Sequence, residues 1–264
     1  MKFGVCNSDK SLFKFIKECG YDYVEMPLTG IIEYSDEEYK DVAGELEKCG
    51  LKAEAFNCFF ADGIDIVGHN VDYDIIKKYV DKGLSRASAL GGEIAVIGSG
   101  KARTIPDGLP REKAEDQFLK SLDICGNIAG KYGMKIVIEP LRKAETNFIH
   151  TVAEGLEMAK RCNNPNVGCL ADMYHMFVSG ETLDALENNS GLLWHAHLSR
   201  GNDDRRMPVP GVDDEQCKLW ASAFKKGGYD ARLSLEGNFA PYDSQNQDMK
   251  RVIKYTYPML DYFR

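Results

Sequence analysis

The chain has 264 residues, with 33 Lys plus Arg against 41 Asp plus Glu, a formal net charge of −8. Apolar residues make up 44%, enough for a large core, which excludes a disordered chain. An acidic chain also lacks the broad phosphate-neutralising field of a strong nucleic-acid binder, and no apolar run approaches the roughly 20 residues of a membrane span.

Short apolar runs alternate with longer amphipathic stretches along the chain. Residues 2–5 read as a strand and 11–19 as a helix that Gly20 ends. A second strand covers 23–26. Ser35 then caps a helix to Cys49, with Asp36 and Glu37 in its first turn and Gly50 after it. Strand 52–57 leads to helix 71–90, which Gly91-Gly92 stop. Strand 93–97 precedes the long helix 111–132, and strand 135–139 precedes helix 151–162. Strand 167–171 is followed by a short helix, 181–188. Strand 193–197 is followed by helix 215–225, and strand 232–235 by a last helix from about Gln247 to Phe263.

Strict strand–helix alternation implies a parallel sheet. Eight units of roughly 30 residues are the arithmetic of an α/β fold with a single (β/α)8 TIM barrel. An open doubly wound sheet would call for a glycine-rich phosphate loop after the first strand, and Cys6-Asn7-Ser8-Asp9 is not one. No linker or low-complexity tract divides residues 1–264, so one domain is expected.

The eight cysteines are scattered, with no C-x-x-C pair, which argues against a zinc knuckle or redox motif. They read as small buried hydrophobes. Met1-Lys2-Phe3-Gly4-Val5 leads directly into structure without a signal peptide, so a reducing cytoplasm is expected.

In such a barrel, reactive groups sit at the C-terminal ends of strands. Four consecutive strands end in Glu139, Asp172, His197 and Glu236. Three carboxylates brought together unpaired would repel one another, and a divalent cation resolves the conflict. Three oxygen donors and one imidazole suit Mn²⁺ first, with Mg²⁺ or Co²⁺ as alternatives, better than a thiolate-rich zinc site.

These motifs resemble the xylose isomerase-like barrels, the group of sugar phosphate isomerases and epimerases that contains ketose 3-epimerases and hydroxypyruvate isomerases. Glu139-Pro140-Leu141 with Glu145-Thr146 is similar to the stretch around the first catalytic glutamate, and Asp172-Met-Tyr-His175 to its D-x-x-H. His195-Ala-His197 resembles the H-x-H, and Leu235-Glu236-Gly237 the closing glutamate. The resemblance covers essentially the whole chain and specifies no substrate. It implies that Glu139, Asp172, His197 and Glu236 hold the metal, and that Glu139 and Glu236 act as an acid/base pair through an enediolate. His175 and Glu145 would bind substrate oxygens, as would an arginine after the H-x-H. Of Arg205 and Arg206, Arg206 is favoured, in a loop longer than the family pattern.

Several features depart from that pattern or stand outside it. His150 replaces an expected asparagine and is read either as a substrate-side acid or base, or as a surface helix cap. After Arg206, Pro210-Gly211-Val-Asp213-Asp214 replaces the usual P-G-x-G. Glu25 either lines the pocket or pairs with a basic side chain. Lys101 and Arg103, after Gly98 and Gly100, either bind an anionic group or lie solvated on a turn. Phe56, Phe59 and Phe60 wall a sugar face or pack in the core, and His69 sits in a polar loop.

The leading functional reading is a metal-dependent isomerase or epimerase of a small, phosphate-free ketose or keto-sugar. The alternative is a lyase on the same scaffold, resembling inosose dehydratases or enzymes cleaving 3-keto-glycosides or C-glycosides, with His150 as leaving-group acid. A trinuclear-zinc endonuclease would need more than the five histidines present. A homo-oligomer or a small partner subunit is the expected assembly; no nucleic-acid or membrane partner is expected.

Overall fold

The computed structural model describes residues 1–201, 205–238 and 249–264. Eight strands form a closed parallel barrel in sequence order. They are β1 (Lys2–Cys6), β2 (Tyr23–Pro27), β3 (Lys52–Asn57), β4 (Ile94–Ile97), β5 (Lys135–Ile138), β6 (Val167–Asp172), β7 (Leu193–Leu198) and β8 (Arg232–Leu235). The expected TIM barrel is therefore the fold. Among the described residues, no helix is long and apolar enough to cross a membrane.

The outer helices follow from local chemistry. Ser35 caps Asp36–Cys49 through a reciprocal capping box with Glu38, and Gly50 closes that helix in the left-handed region (φ 61°). Thr151 and Glu154 repeat the device on Val152–Cys162. Three short helices that the periodicity does not announce follow strand ends: Leu28–Glu33 after β2, Gly100–Arg103 after β4 and Met173–Val178 after β6. They are too short to carry an apolar period. The last helix spans Met249–Thr256 and tightens to a 3₁₀ turn over Tyr257–Phe263, where Pro258 removes a backbone donor. Its expected start at Gln247 lies outside the described residues.

Side chains alternate in and out of the barrel with period two. Outward residues such as Val24, Phe56 and Ile97 pack against helix residues such as Phe13, Val80, Leu84 and Phe118 in one large cluster. Inside, Tyr23, Ala55, Ile94, Val96, Val137 and Leu170 form a separate small core. Interior glycines make room for bulky neighbours: a Cβ on Gly4 would collide with the Tyr23 ring, and one on Gly168 with the Trp194 indole. The Tyr23 hydroxyl is thereby placed 2.8 Å from Ser234 Oγ across the barrel.

At the N-terminal end, Glu54 accepts from Lys2 Nζ and Arg232 Nε, each at 2.8 Å, and Arg232 also pairs with Glu93 at 2.7 Å. Burial alone would raise the Glu54 carboxyl, but hydrogen bonds from Lys2 and Arg232 hold it below its ordinary 4.5. This cluster ties β1, β3 and β8 together. Its contribution is present above about that pH and fades as pH falls through the lowered folded-state value. Glu54→Gln is expected to cost about 2 kcal/mol at pH 7, because Arg232 keeps one carboxylate and Lys2 remains half in water. Urea titrations check this: the gap between variant and parent should be clear at pH 7 and shrink at pH 3.

Candidate active site

Parallel register brings the strand-end residues to one height. Asp172 pairs with His197, and Leu198 with Leu235, so Glu236 follows directly. Glu139 lies one residue past β5, where its N–H donates to the Ile97 carbonyl at 3.1 Å. Ligand atoms of Glu139, Asp172, His197 and Glu236 all lie within 4.8 Å of one another at the C-terminal mouth. His197 Nδ1 is 2.9 Å from Glu236, 3.3 Å from Glu139 and 3.7 Å from Asp172.

Each side chain is held by a second contact. Asp172 is also the N-cap of Met173–Val178: its Oδ1 accepts from Tyr174 N at 2.8 Å and His175 N at 3.2 Å, leaving Oδ2 for the cluster. Asn57 Nδ2 donates to Glu236 Oε1 at 2.9 Å. Gly98 gives Glu139 its place, since a Cβ there would collide with the carboxylate. Below the cluster, Glu25 receives His197 Nε2 at 3.0 Å and His195 Nε2 at 2.8 Å, all three fully buried. Glu25 thus aims His197 Nδ1 at the three carboxylates. Of the two readings of Glu25, pairing with a basic side chain holds.

The electrostatics are asymmetric. Burial, with Glu236 and Asp172 nearby, raises the Glu139 carboxyl against the pull of His197. Burial also opposes ionisation of Glu236, but His197 and Arg205 outweigh it and hold Glu236 below its usual range. Asp172 likewise overcomes burial, mainly through Arg205 and His175, and sits well below its own. His197 pays a burial penalty that Glu236 and Glu25 reverse, leaving it well above 6.5.

A cavity of about 610 Å³ opens above the cluster, lined by Glu139, Glu236, His175 and Glu145, four of the expected site residues. His175 is buried, with Nε2 3.8 Å from Asp172. Glu145 is exposed and accepts from Arg142 Nε at 2.7 Å.

Two expected substrate contacts lie elsewhere. Arg205, not Arg206, lines the cavity, and one guanidinium nitrogen touches both Asp172 and Glu236. The backbone makes this choice. Arg205 adopts a left-handed conformation (φ 48°), its carbonyl accepts from Asn238 N at 2.7 Å, and Arg206 forms a bridge with Asn238. Gly237 permits that approach, since a Cβ there would strike the Arg205 carbonyl. His150 is not among the cavity-lining residues. Its Nδ1 lies 2.9 Å from the Leu141 carbonyl and its N–H donates to Glu154, but Thr151 is the residue that caps Val152–Cys162, so His150 flanks that helix rather than capping it.

The remaining candidates fall out similarly. Arg103 is fully buried and donates to the Ile97 and Glu139 carbonyls, bracing β4 against β5; burial lowers it to about 10. Lys101 is on the rim, paired with Asp62 at 3.3 Å. Phe56 and Phe59 are core, whereas Phe60 reaches the cavity. His69 lies 3.3 Å from the Asp107 carbonyl. All eight cysteines are free, but only Cys125, Cys169 and Cys217 are buried. Cys58 is exposed at the cavity in a left-handed conformation (φ 46°). Asn57 and Arg205 are the site residues whose contacts residue spacing does not disclose.

A family model described as Xylose isomerase-like TIM barrel matches residues 13–258. The chain belongs to the xylose isomerase-like TIM-barrel family. The chain is similar to 3-dehydro-D-guloside 4-epimerase of Escherichia coli (strain K12), 25% identical over 211 residues, covering 76% of this chain and 77% of the relative. D-psicose 3-epimerase of Clostridium cellulolyticum H10, solved with D-tagatose, shares the fold with a TM-score of 0.82 at 18% identity, covering 100% of this chain and 98% of that one. The IOLI protein, solved with a zinc atom, has a TM-score of 0.73 at 19% identity and covers 100% and 98%.

The charge arrangement makes a direct prediction for the metal-free protein. A histidine raised above 6.5 stabilises the fold below its unfolded value and loses that contribution as pH rises through the folded one. His197 is therefore expected to carry protons on both nitrogens at pH 6.5. Long-range ¹H–¹⁵N NMR checks this; a neutral single-tautomer signal at that pH would contradict the charge balance.

Proposed function

We propose that the chain is a divalent-metal-dependent isomerase or epimerase of a small ketose or keto-sugar. The observation that carries this reading is the convergence of three carboxylates and one imidazole at the barrel mouth. Membership of a family whose named relatives include a sugar epimerase supports it.

The residues fit a cation on their own chemistry. Three acids meet within a few ångströms, and a positively charged nitrogen of Arg205 already lies against two of them. Glu139, Asp172, His197 through Nδ1, and Glu236 would hold the ion. The oxygen-rich set favours Mn²⁺, with Mg²⁺ or Co²⁺ as alternatives, and the zinc in the IOLI protein supports a divalent site in this fold. When bound, the ion supplies Lewis-acid stabilisation of negative charge on the substrate's oxygens.

The protein's own groups do the proton work. One of Glu139 and Glu236 removes the proton from the carbon beside the carbonyl; the C–H pair becomes the new C=C bond and the carbonyl π pair moves onto oxygen, giving an enediolate. The other carboxyl returns a proton, to the opposite face of the same carbon for an epimer, or to the former carbonyl carbon for an isomer as the neighbouring hydroxyl passes its proton to the former carbonyl oxygen. Both line the cavity, and Asn57 fixes Glu236 through Oε1. His175, Glu145 and Arg205 line the same space and hold the substrate's oxygens. His150, which the lyase alternative used as its acid, turns Nδ1 to the Leu141 carbonyl. The eight free thiols suit a reducing cytoplasm.

Proton NMR in D₂O with Mn²⁺-loaded protein and a panel of ketoses and keto-sugars tests this reading. The expected result is exchange of the proton beside the carbonyl with a new stereoisomer or aldose. Glu139→Gln and Glu236→Gln should each lower the exchange rate by about 10²–10⁴-fold, and chelation should abolish it until Mn²⁺ is restored. Release of water or an aglycone would replace this reading with the lyase. Exchange that survives both substitutions would remove the two-glutamate mechanism.

A further inference from the structure

Glu139 stands where its strand runs out. The last residue pair between β4 and β5 is Ile97 with Ile138. One further rung forms, from Glu139 N to the Ile97 carbonyl at 3.1 Å. Pro140 follows and has no N–H to offer. Among the described residues, no backbone donor reaches the Glu139 carbonyl.

Arg103 supplies that donor from the turn after β4. It is fully buried. Its Nη2 donates to the Glu139 carbonyl at 2.5 Å and its Nη1 to the Ile97 carbonyl at 3.3 Å. The Ile97 carbonyl thus accepts from both Glu139 N and Arg103, and the three residues close a ring of hydrogen bonds around the Glu139 backbone.

Two carbonyls alone do not call for a guanidinium. A charge taken wholly out of water is costly unless other charges compensate it, and the side-chain donors of Arg103 go to backbone oxygens, not to a carboxylate. Of the charges around it, the Glu139 carboxylate does most to favour its ionised form. Arg205 touches Asp172 and Glu236. Arg103 adds positive charge near the third acid without lining the cavity.

Other contacts already hold the two loops together. Thr104 Oγ1 lies 3.3 Å from Thr146 Oγ1, Ile105 N donates to Asn147 Oδ1 at 2.8 Å, and Asn147 Nδ2 donates to the Ile105 carbonyl at 2.9 Å. What Arg103 adds to these is local to Glu139. We propose that Arg103 is the positioning residue of Glu139: its buried fork clamps the backbone that carries the glutamate and so fixes where the carboxylate meets the metal and the substrate. The proposal rests on the reading of Glu139 as metal ligand and proton carrier given above.

The test titrates Mn²⁺ into the full chain, without substrate, and follows free Mn²⁺ by EPR. Arg103→Met removes both donors; Arg103→Lys keeps the charge but lacks the fork that spans two carbonyls. Each is expected to weaken Mn²⁺ binding by about 10–100-fold. In a Glu139→Ala background neither should change it by more than about twofold, because the effect passes through Glu139. On a ketose that the parent exchanges in D₂O, both variants should lose about 10–100-fold in kcat and keep KM within about threefold. Unchanged Mn²⁺ affinity in a folded variant, or an equal loss with and without Glu139, would overturn the assignment. Failure of both variants to fold would also overturn it, by making Arg103 a residue of the fold alone. The expected Mn²⁺ behaviour in a parent that exchanges no ketose would remove the enediolate reading and leave the link between Arg103 and Glu139 standing. A parent that binds no Mn²⁺ would remove the metal reading and this role with it.

Discussion

Three carboxylates at one end of a closed barrel need positive charge among them. Two like charges about 4 Å apart repel by about 4 kcal/mol at an effective dielectric of about 20, and burial adds to that cost. The protein meets this demand from several directions. His197 presents Nδ1 to all three acids, Arg205 reaches Asp172 and Glu236 from the loop after β7, and Glu25 holds the imidazole from below. The protein's own cations thus gather where a divalent ion would be bound.

This arrangement needs space as well as charge. Interior positions are filled to capacity, so a large side chain on one strand requires a small residue on its neighbour. Gly98 on the β4 side accommodates Glu139, and Gly4 and Gly168 do the same for Tyr23 and Trp194. The Tyr23–Ser234 contact and the small apolar core below the site turn this economy of space into a rigid floor. Functional groups project from strand ends whose spacing the hydrogen-bond ladder sets, while substrate-facing variation is left to the loops.

Much of this was legible in the chain. Period-two alternation and strand termination place Glu139, Asp172, His197 and Glu236 on consecutive strands, and parallel register leaves little freedom in their height. Glu145 and His175 enter only through the resemblance of their stretches to the family's motifs. Arg205 and Arg206 are adjacent, so spacing cannot choose between them; a left-handed residue and a bridge to Asn238 do. His150 has the chemistry of a catalytic group but turns to the Leu141 carbonyl. Arg103, basic and beside two glycines, is buried as a brace.

The sequence by itself therefore determined the order of strands and helices, the barrel and the set of residues that meet at its mouth. These depend on local periodicity and on backbone hydrogen bonding that repeats in every unit. Only the tertiary structure decided which arginine enters the site, that Glu25 supports His197, and that Asn57 holds Glu236. Those outcomes depend on contacts between residues far apart in the chain, such as Glu25 with His197 and Asn57 with Glu236, and no local pattern encodes the distance between them.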